Sequence, residues 1–268
     1  MSQMGWIKDK WDYRDYLYKI PVAVPLPDKV DLSQYLPTVR NQGNVGSCVG
    51  FGIGANLVSV VKKQNAYQEW YSPTWIYNGA RALEGGIAND TGCSPRDACD
   101  WLLKNGCLLE SFWPYDDSKL DKTMPSSERM AQASKYLDFA YYRVVDGVEG
   151  IKAALADGHF ISIGSPWFHT WMNPVDGMLP EVTAENGIAG GHETCIYGYD
   201  NSINRFLCIN SWGKDWGNRG LFTMSFSAIE VFQQVGGYDA HYFTFTVTGI
   251  KRPGCLPGAG ILKRILGG

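Results

Sequence analysis

Cys48 stands at a junction in the chain. Before it lies a polar, glycine-rich stretch, Asn41-Gln42-Gly43-Asn44-Val45-Gly46-Ser47. Behind it Phe51, Ala55 and Val58, with Leu57 and Val61 beside them, recur at the spacing of a buried helix. The spacing predicts a helix with Cys48 in its first turn, where unpaired N–H groups and the helix dipole favour negative charge. The thiolate is the nucleophilic form of cysteine, and such a setting stabilises it. A cysteine at a helix start is also, in the ordinary case, a small core residue, so its chemistry depends on partners. Two later stretches offer them: Gly190-Gly191-His192-Glu193-Thr194-Cys195 and Cys208-Ile209-Asn210-Ser211-Trp212-Gly213. His192 follows Cys48 by 144 positions, and Asn210 follows His192 by 18.

The elements that must bring these residues together divide the chain in two. In the first half, Ser72-Pro73 starts a helix through Trp75, Ile76 and Ala80. Ser94-Pro95-Arg96-Asp97 gives an N-cap, a proline at the first helical position and an acid at the third, for a helix that stops at Gly106. From about residue 136 the period changes. Strands are expected at Tyr136–Val145, His159–Ser165, Glu193–Tyr199, Arg205–Ile209, Leu221–Phe226 and His241–Val247, with a short helix through Val148, Ile151 and Leu155. The fold class is therefore α+β with two lobes, a helical one carrying Cys48 and a β-rich one carrying His192 and Asn210, with the site in the cleft between them.

Composition sets the outer bounds. A chain of 268 residues, 45% hydrophobic, can bury a full core. A formal charge of −3 gives no electrostatic reason for a nucleic-acid or membrane partner. No apolar run approaches the roughly 18–20 residues that span a bilayer, and Met1 to Lys19 lacks the apolar stretch of a signal peptide. Seven cysteines is an odd count that favours reduced thiols and a cytoplasmic or other reducing compartment. Cys93, Cys99 and Cys107 have no histidine nearby and fit no zinc pattern, so neither metal nor cofactor is expected. Residues 1–29 read as an extended, proline-broken arm, residues 30–249 as the main domain (helical lobe about 40–135, β-rich lobe about 136–249), and residues 250–268 as a basic, glycine-rich tail.

Gln42, Gly46-Ser47-Cys48 and Phe51, then Gly191-His192 leading to Gly198-Tyr199-Asp200, then Asn210-Ser211-Trp212-Gly213 resemble the papain-type cysteine peptidases, at the separations that family shows. The resemblance implies a papain-like fold and a Cys-His-Asn mechanism. Cys48 would be the nucleophile, forming a thioester, and His192 the general acid/base paired with it as thiolate and imidazolium. Asn210 would orient the imidazole. Gln42 would place its side-chain N–H beside the Cys48 backbone N–H as the oxyanion hole. Trp212 would shield the His192–Asn210 bond. Gly92, in the loop before the Ser94 helix, would line the cleft and pair with substrate backbone, and Gly164 would contribute to the S2 pocket by position. The other histidines, His159, His169 and His241, lie outside the motifs and receive no role.

The sequence also departs from that pattern. Val45 stands where secreted members have a disulfide cysteine, which points to a reducing compartment or to a microbial or viral branch, and Val49 replaces an aromatic residue. Gly191 replaces a frequent acid, and Glu193 follows the histidine where a small residue is usual. The expected activity is cleavage of peptide or protein substrates by a monomeric endopeptidase. Another cysteine-dependent acyl transfer (transamidation or peptidoglycan amide hydrolysis) and a non-catalytic binding protein are the alternatives. The arm is read either as a strap across the back of the fold or as a short pro-segment over the cleft.

Overall fold

Every position from Val45 to Val61 is buried, which makes α1 (Cys48–Asn65) a central helix with no solvent face over most of its length. The computed structural model describes residues 4–13, 15–20, 25–65, 69–136 and 139–245. Three small residues let neighbours approach α1 closely. A Cβ added at Gly50 would lie 2.7 Å from the Pro73 carbonyl oxygen, one at Gly52 2.8 Å from Glu193 Cγ, and one at Gly54 3.1 Å from the Trp70 ring.

The expected caps form. The Ser72 hydroxyl accepts from Trp75 N–H to start α2 (Pro73–Leu83), and Ser94 accepts from Asp97 N–H to start α3 (Pro95–Asn105). Gly106 ends α3 at φ +85°, a conformation that favours glycine. A short polar helix, α4 (Ser127–Ala133), follows with one buried residue. Then come α5 (Gly147–Ala156) and α6 (Ser227–Gln234) on the far side of the sheet.

Among the described residues seven strands form one antiparallel sheet: β1 (Lys29–Asp31), β2 (Phe139–Arg143), β3 (Ile161–Phe168), β4 (Ile188–Asp200), β5 (Arg205–Ile209), β6 (Leu221–Ser225) and β7 (Asp239–Phe245). Their order is β2-β7-β3-β4-β5-β6, with β1 added to the end of β4. One face carries α1, α2 and α3 in a core that includes Phe51, Leu57, Trp75 and Leu102; the other carries Ile151, Trp167, Phe206 and Phe232. The third strand runs on past Pro166, where the sequence suggested a stop. Beyond Gly164 it has β4 alone as a neighbour, and a strand with one free edge tolerates proline.

The arm does not simply strap the back. Residues 4–9 cross the front of the cleft, and the chain then turns round the sheet edge. There Tyr18 N–H donates to the Arg143 carbonyl, and Arg143 N–H donates to that of Tyr16. Among the described residues no helix is long and apolar enough to cross a membrane. The tail, 250–268, and the end of the last expected strand lie outside the described residues.

Candidate active site

β4 brings His192 into the sheet opposite Ser165, and the loop after β5 brings Asn210 beside it. His192 Nε2 lies 2.7 Å from Asn210 Oδ1. The same oxygen accepts Ser211 N–H at 2.8 Å. An atom that accepts from a backbone amide is the oxygen, so Nε2 must carry the proton, and Nδ1 is the free base. Trp212 covers the pair, its ring centroid 4.5 Å from that of His192; Trp167 stands edge-on at 4.8 Å. Trp167 was not foreseen, because its only link to the site is pairing between strands.

Gln42 is fully buried. Its Nε2 donates to the Val45 carbonyl at 2.9 Å, and its Oε1 accepts from the Ser211 hydroxyl at 2.6 Å. Gln42 N–H in turn donates to the Ser211 carbonyl at 2.8 Å. The loop before the nucleophile is thereby joined to the Asn210 segment of the other lobe. Cys48 is the first residue of α1, as the periodicity predicts.

Burial works against the expected ion pair. Burial pushes the Cys48 thiol up to about 12, although backbone N–H groups of Glu193, Gly5 and Val49 favour the thiolate. Burial likewise pushes His192 down to about 4, against the opposing effect of Asn210, and its Nδ1 has no hydrogen-bond partner. Burial thus favours the neutral form of both groups. The arm covers the site, and the cost of desolvation outweighs the backbone N–H groups at the sulfur and Asn210 at the imidazole.

The closure is by backbone. Cys93 N–H donates to the Gly5 carbonyl at 2.8 Å, Ile7 N–H to the Cys93 carbonyl at 3.1 Å, and Trp6 N–H to the Gly191 carbonyl at 3.0 Å. The arm thus spans both lips. Cys93, and not Gly92, supplies the pairing groups. Gly92, at φ +74°, leaves the room, since a side chain there would strike the Gly5 backbone. The Trp6 ring lies over Gly164 and Gly191, and its Nε1 donates to Asp239 Oδ2 at 3.1 Å.

Beyond Trp6 the arm ends in a buried charge nest. Asp9 N–H donates to Asp239 Oδ2 at 2.8 Å, and Asp9 Oδ1 accepts from Arg96 N–H at 2.9 Å. Asp9 Oδ2 lies 3.5 Å from Arg143 and 3.3 Å from His241 Nε2. Arg143 also meets Asp239 at 2.7 Å and Asp15 at 3.5 Å. His241, given no role from sequence, belongs here. Glu193 lies on the opposite face of β4 from His192, against Gly52. Burial holds its carboxyl well above the usual range, and neither oxygen has a partner. It is a neutral acid behind the nucleophile helix, and it neither pairs with the imidazole nor walls the cleft. No cluster suited to a metal occurs among the described residues.

Comparison with known proteins agrees with this geometry. Over 255 residues the chain is 29% identical to an uncharacterized peptidase C1-like protein of Acanthamoeba polyphaga mimivirus, covering 84% of this chain and 82% of that one. It is 26% identical to the cathepsin B-like CP3 of Giardia intestinalis, over 75% of this chain and 69% of the relative. Among solved structures, xylellain, a cysteine protease from Xylella fastidiosa, superposes with a TM-score of 0.83 at 29% identity, covering 91% of this chain and 97% of that one. Residues 26–235 match the family described as papain family cysteine protease, a span that holds Cys48, His192 and Asn210. With most of its length matched, the chain belongs to the papain family of cysteine proteases.

Proposed function

We propose that the protein is an endopeptidase that cleaves peptide bonds through a Cys48 thioester, and that residues 4–9 are an inhibitory pro-segment. The observation that carries the reading is the pair of contacts at Asn210 Oδ1, which leaves His192 Nδ1 as the unprotonated, unpaired ring nitrogen. With the cleft open to water, the Cys48 proton passes to Nδ1. The sulfur then attacks the substrate carbonyl carbon, and the resulting oxyanion is held by the Cys48 N–H and the second N–H of Gln42. The tetrahedral species collapses to the thioester as His192 protonates the departing amine. Water, deprotonated by His192, hydrolyses the thioester and restores the thiol.

An extended chain that passes the nucleophile and continues on both sides supports internal cleavage: Met4 lies against Gly190 on one side and Trp6 to Asp9 on the other. The arm presents its Gly5 N–H to Cys48, while the Gly5 carbonyl accepts from Cys93 N–H. Gly164, under the Trp6 ring, serves as the floor of a side-chain recess. The protein acts as a monomer, since both halves of the site come from one chain.

Alkylation by iodoacetamide across pH, with mass mapping of all seven cysteines, tests the proposal. Cys48 in the intact chain should react only at alkaline pH. Cutting an engineered protease site at Lys10-Trp11, which is exposed, should make Cys48 reactive at about pH 5, and His192→Ala should abolish that gain. Peptide hydrolysis should appear in parallel and vanish in Cys48→Ala. A Cys48 that stays inert after the cut sinks the peptidase mechanism; one that reacts at acid pH before it sinks the pro-segment.

A further inference from the structure

The arm's Gly5 runs between two walls. A side chain at Gly46, in the loop before the nucleophile, would meet the Gly5 Cα at 3.5 Å, and one at Gly92, in the lip before α3, would strike the Gly5 carbonyl oxygen at 2.3 Å. One carboxylate joins these walls. Asp90 Oδ2 accepts Gly46 N–H at 2.9 Å, and Oδ1 accepts the Tyr77 hydroxyl. The Tyr77 oxygen in turn accepts Gly92 N–H at 3.0 Å. The direction of each bond is fixed, because an amide N–H can only donate and the hydroxyl hydrogen is left for Asp90. Tyr77 lies buried on α2, with the Arg81 guanidinium over its ring at 4.1 Å. Arg81 also donates to the Asn89 carbonyl at 2.7 Å, which seats the chain just before Asp90. No disulfide among the described residues braces this loop.

We propose that Asp90 is a positioning residue for the reaction. Through Gly46 it sets the loop that carries Cys48 and its oxyanion N–H. Through Tyr77 it ties that loop to the lip, Gly92-Cys93, whose backbone grips an extended chain. The inference rests on the peptidase reading above. A carboxylate suits the task because it offers a charged acceptor to each wall, and such bonds are about twice as strong as neutral ones. The two walls serve different steps. An oxyanion donor acts only at hydrogen-bond distance, so a shift of Gly46, two residues before Cys48, lowers turnover. A shift of Gly92 loosens the hold on substrate backbone and weakens binding. Asparagine at this position would divide the two. Its single amide oxygen takes Gly46 N–H, and its NH2 then faces a Tyr77 oxygen that already accepts Gly92 N–H.

Two measurements on the full chain decide the matter. In the first, the protein cut at Lys10-Trp11 is assayed on a fluorogenic peptide. Asp90→Ala should lower kcat by about 30-fold, the scale of a lost hydrogen bond to a charged acceptor, and raise KM as well. Asp90→Asn should restore most of kcat while KM stays raised. Tyr77→Phe should leave kcat in place and raise KM by about tenfold, because Gly92 N–H loses its acceptor. In the Asp90→Ala background Tyr77→Phe should add little to KM, since both act on one strut. An Asp90→Ala enzyme with unchanged kcat, an Asp90→Asn enzyme no better than Asp90→Ala, or KM effects that add in full overturn the proposal.

The second measurement needs no catalysis. In the uncut chain the Gly92 amide, followed by NMR, should exchange its hydrogen about tenfold faster in Asp90→Ala, with circular dichroism unchanged. In the Tyr77→Phe background Asp90→Ala should add nothing. Should Asp90→Ala fail to fold, Asp90→Asn makes the same test, because its NH2 competes with Gly92 N–H for the Tyr77 oxygen. Gly92 exchange that ignores Asp90, or that responds equally in both backgrounds, would show that no strut joins loop and lip, whether or not the cut protein hydrolyses peptides. Hydrolysis failing while this coupling holds would sink the peptidase reading and leave Asp90 as the brace of the slot that holds the arm.

Discussion

Two buried polar regions lie under the same arm and are treated in opposite ways. Around Asp9 every charge has an opposite neighbour: Arg143 serves three carboxylates, and Arg96 serves Asp12 and Asp15. Around Cys48 several buried polar atoms lack partners: His192 Nδ1, both Glu193 oxygens, Asn210 Nδ2 and Trp212 Nε1. The contrast teaches where the arm is held and what it covers. The nest supplies the grip. The cleft side lacks such pairing, and of its unpaired atoms His192 Nδ1 is the one the proposed mechanism uses.

The sharpest way to break this comparison is to remove the grip. Breaking a buried ion pair costs about 3–5 kcal/mol, so Asp9→Ala should raise Cys48 alkylation in the uncut chain by on the order of 100–1,000-fold while the fold persists by circular dichroism. If Cys48 stays unreactive, the nest does not hold the arm. On the cleft side, Gln42→Ala should lower kcat of the cut enzyme by on the order of 100-fold with little change in KM, as loss of one oxyanion donor does. A comparable rise in KM alone would mean that Gln42 only braces the loop.

Acid separates the regions by a smaller amount. Burial depresses His192 to about 4 from an ordinary 6.5. Its neutral form thus contributes stability that is whole above about pH 6.5 and is lost as pH falls toward 4. Between pH 7 and 4.5 the loss should be about 2–3 kcal/mol, read as the difference in acid sensitivity of denaturant unfolding between the parent and His192→Gln. Asp9, which His241 and Arg143 hold low against the effect of burial, loses its share at lower pH still, so Asp9→Asn should alter the profile below that window. The smallest effect belongs to Gly52→Ala. Its Cβ would press on Glu193, and the better helix propensity of alanine offsets part of that strain, leaving a net destabilisation of about 1 kcal/mol in urea melts.

What could be read from sequence follows from range. The helix at Cys48 and the caps at Ser72 and Ser94 are local, and their signals lie within a turn or two of the residues they place. The partners His192 and Asn210 are remote, yet each sits in a motif of its own. The arm's path had neither aid. Trp6 meets Asp239 across 233 positions, and nothing near either residue announces the other. Cys93 was passed over for Gly92 because backbone pairing leaves no mark on side-chain type. The last helix, α6, was missed although Ala228, Val231 and Phe232 carry helical spacing in a span of eight residues. The bias of Cys48 and His192 toward their neutral forms is a matter of burial, which spacing does not encode.

The three glycines of α1 have a consequence for how that helix forms. Each costs a helix about 1 kcal/mol relative to alanine, and all three fall in the first two turns, where Cys48 must be set. That segment has little tendency to coil alone and is shaped by Pro73, Glu193 and Trp70 closing on it from separate parts of the sequence. The helix that carries the nucleophile is therefore shaped by tertiary packing more than by its own sequence, and Cys48 is set in place only where the two halves of the chain meet.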